Sequence, residues 1–317
     1  MIRRNFLAGS VFAGLIATHG AARAQFGDLG NVVKGLGTPK LPKVLSGPEP
    51  VSTNIKDAIY GDPSRDGWKA PRAGNMAALQ RSPLGGFVLA AGYHKMSAQS
   101  YCLHAGTHGP GGGDGYLYAP LKGSARDAVT SILQNSVAKP QIAQHDIQLL
   151  LWAIVARSKF ENLNGDLKLV ASQLLTAKQI ASLNRSALSI VTSSEFQRLT
   201  GGVPEPLRTV MEAESRMRNM FSGPSLAYQD MERVAMLAGA APRGAGSIDT
   251  PSSRWSRHPD GYWVRYIPSG YSQTQVEIFV EAASAAIGKT YDPAVCVAVP
   301  GNTARQRLAQ SGRVYGR

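Results

Sequence analysis

Cys102 sits in SYCLHAGTHGPGGGDGYLYAP, residues 100–120, with His104 and His108 close behind it and a glycine-rich run after them. The chain has two cysteines and six histidines, so this short stretch concentrates much of its soft and titratable chemistry. Residue types alone leave three roles open for the thiol. It could pair with Cys296, since an even cysteine count in an exported chain favours a disulfide. Such a bridge would close a long loop and stabilise by roughly 4 to 5 kcal/mol. It could ligate a metal with imidazoles, since sulfur and nitrogen suit zinc. The spacing C-x-H-x-x-x-H matches no standard zinc arrangement, however, so no metal site is assigned. Finally, it could be a nucleophile with a histidine base. His104 lies two residues on, which on a strand is the same face, and Asp114, Asp146 or Asn162 could orient the base.

A second segment adds a partner. His145-Asp146-Ile147-Gln148-Leu149-Leu150-Leu151-Trp152 places one uncharged polar residue, Gln148, at the entry to an apolar helix. A glutamine there needs a partner for its amide. Tyr101-Cys102, a Gly/Pro-rich loop, Tyr116 and then Gln-x-x-x-Trp together resemble the thioester-forming domains of Gram-positive surface adhesins. Those carry an aromatic-Cys pair on a strand and a T-Q-x-A-I-W motif at a helix start. Gln148 and Trp152 match that motif, with Ile147, Leu150 and Leu151 in place of its Thr, Ala and Ile; the similarity covers residues 86 to about 157. The resemblance implies that the Cys102 sulfur attacks the Gln148 side-chain carbonyl, expels ammonia and leaves an internal thioester. An amine on a partner surface then opens it to an amide. His104 or His145 would take the proton, backbone N–H groups at the helix start would hold the developing oxyanion, and the leucines and Trp152 would keep water out.

The elements that must position these residues fall into an α+β pattern. GFVLAAGYHKMSAQSYCLHAG, from Gly86, predicts two short strands with a turn near Lys95 to Ala98, the second carrying Cys102. Tyr116 to Tyr118 predicts a third. Helices are expected over Ser124–Ser136 with Ser124 as N-cap, over PQIAQHDIQLLLWAIVARSKF from Pro140 to Phe160, over Asp166–Leu174, and over Thr176–Leu183 with a capping box. Two more are expected over Leu207–Met220 and Ser225–Leu237. Alternating aromatic and β-branched residues then predict paired strands, Tyr262–Ile267 with Gln275–Val280. Strands early and late in the chain should join in one small antiparallel sheet or barrel packed on the helical middle. The Gly-rich 109–115 segment lacks phosphate-loop or dinucleotide spacing and reads as a flexible loop; no cofactor is expected. Trp255, Tyr262, Trp263, Tyr266 and nearby Tyr271 could form an aromatic binding face.

The start of the chain supplies an address. Arg3-Arg4-Asn5-Phe6-Leu7, an apolar stretch and Ala22-Arg23-Ala24 read as a signal peptide over 1–24, of the twin-arginine type. Residues 25–50 read as a Gly/Pro-rich linker or mobile arm, and 51–317 as a single α+β domain with a helical subdomain about 124–238. No later run is long and apolar enough for a transmembrane segment. The formal charge of +13 is spread along the chain without a dense Lys/Arg block, so no nucleic-acid partner is expected; an envelope polymer or protein fits better. The expectation is a periplasmic or secreted cell-envelope protein that binds or attaches through an internal Cys102–Gln148 thioester. The alternatives are a periplasmic cysteine- or metal-dependent enzyme, and a structural envelope protein with a Cys102–Cys296 disulfide.

Overall fold

The computed structural model describes Leu45 and residues 47–316, apart from 70, 112 and 225. The signal peptide over 1–24 and nearly all of the 25–50 arm lie outside the described residues.

Strand β1 (Gly74–Asn75) and β2 (Phe87–Val88) precede the central strand, β3 (Gly92–Cys102). The turn expected at Lys95–Ala98 is absent, and the strand runs unbroken. The K-M-S-A group has no glycine, proline or asparagine to close a tight turn. Met96 and Ala98 are buried while Lys95 is exposed, the alternation of a strand with one covered face. Next come β4 (Thr107–His108) and β5 (Tyr116–Pro120). After the helices, β6 (Met236–Leu237), β7 (Ser256–Arg257), β8 (Trp263–Pro268) and β9 (Gln273–Val280) follow. The last are β10 (Thr290–Tyr291), β11 (Cys296–Pro300) and β12 (Leu308–Val314).

Strand pairing runs β3–β12–β11–β5–β8–β9 and back to β3, antiparallel throughout. Six strands from the two ends of the described chain thus make one barrel-like sheet, as the sequence predicts. Its thinnest seam is β5–β8, a single pair, Tyr116 with Tyr266.

Seven helices lie between 126 and 235 among the described residues: α1 (Arg126–Val137), α2 (Gln144–Val155), α3 (Gly165–Leu174), α4 (Ala177–Ser186), α5 (Ser193–Thr200), α6 (Glu205–Phe221) and α7 (Tyr228–Ala235). Helix α2 is the axis of the helical layer. Every residue from Ile147 to Val155 is buried, and it packs on β3, α1, α3, α6 and α7. Thr176 forms the expected capping box with Gln179. Ser124 does not cap α1; its hydroxyl donates to the Glu49 carbonyl, and Ala125 holds the cap position. Helix α5 was not expected. It opens with a second capping box, Thr192 with Glu195, and buries Phe196 with Val191, Leu207 and Met211 in a small satellite core.

Buried titratable groups make this fold sensitive to acid. His258 stacks on Tyr262, with centroids 4.3 Å apart at 10°, and lies 4.5 Å from Tyr118. Burial pushes its pKa down to about 4; Lys289 adds to this and Asp260 opposes it. In the unfolded chain an imidazole titrates near 6.5. The unfolded state therefore takes up a proton first as pH falls. The neutral ring's full contribution is present above about pH 6.5 and is lost progressively toward pH 4. We expect the melting temperature to fall across that window and His258→Gln to flatten the fall; an unchanged slope in the variant would exclude His258 as a source.

Candidate functional site

Gln148 reaches Cys102. The Cys102 backbone N–H donates to Gln148 Oε1 at 2.8 Å, and Gln148 Nε2 donates to the Cys102 carbonyl at 3.1 Å. The reason lies in the edge of β3. On one side, the Leu103 N–H bonds the Arg307 carbonyl at 3.0 Å, so the alternation of an antiparallel ladder turns the Cys102 backbone groups to the opposite edge. Strand β9 covers that edge from Gly92 to Gln99 and then departs. Helix α2 takes over. Gln144 Nε2 donates to the Ser100 and Ser272 carbonyls at 3.1 and 2.7 Å, and Gln148, one turn on, serves Cys102. Four residues of helix rise about 6 Å and two residues of strand about 6.6 Å, so glutamines at i and i+4 match alternate residues of the strand. The two side chains act as a substitute strand.

Cys102 and Gln148 are 0 % and 1 % exposed. Burial pushes the thiol pKa well up, and the charge of Glu232 adds to it. Cys102 Sγ lies 3.9 Å from Met236 Sδ, just past α7. Trp152, one turn beyond Gln148 and fully buried, lies 5.5 Å from the Tyr228 ring and 6.5 Å from the Tyr271 ring. Tyr228 and Tyr271 share a hydrogen bond of 2.8 Å between their hydroxyls, and Tyr271 OH donates to the Glu232 carboxylate. Burial raises the Tyr228 pKa to about 12, with the charge of Glu232 contributing. A carboxylate thus connects through two phenols to the apolar wall around the thiol.

The loop after Cys102 is close-packed rather than loose. Gly106 has φ 66°, and a Cβ there would meet the Thr209 carbonyl of α6 at 2.9 Å. Further on, the Arg305 guanidinium fills the glycine-rich turn. It pairs with Asp114, donates to the Gly109 carbonyl at 2.8 Å, and lies where a Cβ on Gly111 would be. The glycines serve close approach, not the flexibility their composition suggests.

The two histidines differ. His145 is half-exposed, pairs with Asp146 at 2.9 Å and meets the Tyr228 ring edge-on at 5.7 Å. His104 is buried. Desolvation, and then the charge of Arg307, hold its pKa well below the ordinary value, so the ring is neutral and its Nε2 has no protein partner.

Two expectations are overturned. Cys102 and Cys296 form no disulfide; both thiols are free and buried. They lie on β3 and β11 with β12 between. Two strand spacings are about 9.6 Å, beyond the roughly 7 Å that a bridge tolerates. Cys296 Sγ instead donates to the Asp292 carbonyl at 3.3 Å. Nor do Trp255, Tyr262, Trp263 and Tyr266 form an open aromatic face, since all four are buried. Trp68 and Tyr93 cover Trp255, and the Arg65 guanidinium lies 4.0 Å over the Trp263 ring. Among the described residues no group of three or more His, Cys, Asp and Glu is arranged to hold a metal ion, and no helix is long and apolar enough to cross a membrane.

Sequence reasoning missed Tyr228, Glu232 and Met236 as neighbours of Cys102, more than a hundred residues away. The available signal was Tyr228 and Glu232 at i, i+4 on a helix with buried Met231 and Ala235. Comparison with protein-family models, curated proteins and solved structures returned no significant match. Function must therefore be argued from this geometry.

Gln148→Leu strands two buried backbone groups of Cys102. At about 1–3 kcal/mol per unsatisfied group, the loss should be about 2–6 kcal/mol in chemical denaturation, clearly above that of Cys102→Ala. Equal losses for the two variants would show that the clamp contributes nothing.

Proposed function

We propose that this protein is an exported cell-envelope binding protein that attaches to an amine-bearing partner through an internal thioester between Cys102 and Gln148. The observation that supports it is the Gln148 carboxamide held against Cys102, with the Cys102 N–H already donating to the oxygen that would become the oxyanion. The resemblance to adhesin thioester domains points the same way, and the two lines are independent. The donor differs from the one expected from sequence: it is the backbone of the cysteine itself rather than the start of the helix.

Glu232 accepts the Cys102 thiol proton, which the raised thiol pKa makes necessary. The sulfur attacks Gln148 Cδ. The tetrahedral oxyanion is held by the Cys102 N–H, the carbon–nitrogen bond breaks, and the amide leaves as ammonia with the former thiol proton. The thioester is sheltered by Trp152 and Met236. A primary amine then attacks the same carbon, the carbon–sulfur bond breaks, and the amine's proton passes to the thiolate. The Glu232–Tyr271–Tyr228 chain carries that proton. His104 is a weak candidate for this role because its ring is desolvated beside a cation. His145 meets the Tyr228 ring edge-on and bonds Asp146, so it is not a link in this chain.

Peptide mapping of the unreduced, exported protein tests the proposal. A Cys102 peptide joined to a Gln148 peptide, lighter by one ammonia and opened by methylamine that stays on Gln148, is the expected result. A free Cys102 thiol with an intact Gln148 amide in every preparation sinks the proposal. Tyr271→Phe, which cuts Glu232 from Tyr228, should slow methylamine opening by roughly 10²-fold.

A further inference from the structure

The other end of α2 carries a different kind of site. The helix ends in the hydrogen-bond pattern that usually calls for glycine. The Arg157 N–H bonds the Ile154 carbonyl and the Ser158 N–H bonds the Ala153 carbonyl, both at 2.9 Å. The residue in the left-handed position is Arg157, with φ 54°, an uncommon choice that costs about 1 kcal/mol or more. What the conformation achieves is placement of a cation. The Arg157 guanidinium, nearly fully buried, pairs with Glu214 at 2.6 Å. Arg218, also buried, donates to the Ala156 carbonyl at 2.7 Å.

Beside this pair opens a cavity of about 230 Å³, lined by Ser158, Lys159, Asn162, Ser189, Arg218 and Ser222, with Leu188 and Ile190 as its apolar wall. Charge around it does not balance. Among the described residues, Arg157, Arg218 and Lys159 have two ion-paired carboxylates, Glu214 on Arg157 and Glu161, the latter 3.2 Å from Lys159 at the solvent edge. The carboxyl end of α2 supplies about half a negative charge, which leaves the cluster positive. Burial pushes the Arg218 pKa down to about 10; the charge of Glu214 opposes this and that of Arg157 adds to it, as for a cation drawn out of water. Hydrogen bonding is incomplete too. Arg218 Nε and Ser158 Oγ, on residues 3 % and 5 % exposed, have no protein partner. A buried guanidinium N–H and a buried hydroxyl without partners cost free energy unless something else satisfies them.

We propose that this cavity is a binding site for a small oxyanion, a phosphate or carboxylate group, held by Arg218 with Ser158, Ser189 and Ser222 and attracted by Lys159. The residues differ from those around Cys102, so the site stands whether or not the thioester forms. Calorimetric and thermal-shift titration of the whole protein with inorganic phosphate tests it, against sodium chloride at equal ionic strength. Saturable binding with a rise in melting temperature beyond the chloride control is expected, and Arg218→Gln should abolish it. Arg218→Gln also removes the bond to Ala156 and endangers the fold, so a second variant is needed. Lys159→Gln combined with Ser222→Ala leaves that bond intact and should weaken binding about tenfold, the equivalent of one lost charged hydrogen bond. Acetate in place of phosphate separates the two chemistries, and saturable binding of either upholds an oxyanion site. Stabilisation no greater than that of chloride, or affinity unchanged in the double variant, overturns it.

Discussion

A strand edge that loses its neighbour must find other partners for its N–H and C=O groups, and much of this structure follows from how β3 does so. Where β9 turns away, Gln144 and Gln148 of α2 supply the missing donors and acceptors. That contact joins the barrel-like sheet to the helical layer. It fixes the depth and rotation of α2, because only glutamines one turn apart can meet alternate residues of the strand. It also explains how a helix as apolar as α2 carries two amides into the interior: both have work to do there. Leucine at either position would pack, but would strand the backbone it faces.

The same contact sets the chemistry of Cys102. A thiol at the end of a solvated strand would titrate near its ordinary value and react freely. Here the surrounding core suppresses ionisation, and the charge of Glu232 reinforces that suppression. Tyr228 and Tyr271 place hydroxyls between the carboxylate and the Trp152 wall, giving a proton a route across a region that otherwise excludes water. Restraint and activation come from the same residues. That arrangement fits the proposed thioester, a bond made once and then kept from hydrolysis.

How much of this was legible in the sequence depends on the range of the interactions. Local signals held. The apolar run from Leu149 marked α2, Thr176 marked a capping box, and the late aromatic alternation marked β8 and β9. Cys102 and Gln148, singled out by residue type and by resemblance, do come together. Failures came where a long-range partner decided the outcome. Lys95 to Ala98 reads in the sequence as a turn between two short strands, whereas β9 pairs across it and leaves Lys95 facing solvent. The aromatic segment was read as an open face, and residues 65–93 cover it. The disulfide failed for a reason no cysteine count contains: β12, from the far end of the described chain, lies between the two strands. Arg157 gave no signal at all, since nothing in its type announces a left-handed backbone.

That intervening strand has a consequence for timing. Cys102 lies on β3, whose free side is closed by Leu308 to Val314, so the wall around the thiol is complete only after synthesis has passed residue 314. Helix α2 is made far earlier and has its glutamines ready, but without β12 the strand they grip is only half supported. Contacts this distant in sequence form late in folding. A nascent or truncated chain would hold Cys102 and Gln148 in water, where an activated carbonyl would be hydrolysed as soon as it formed. Topology itself thus delays the closing of the core around Cys102 and Gln148 until β12 is in place.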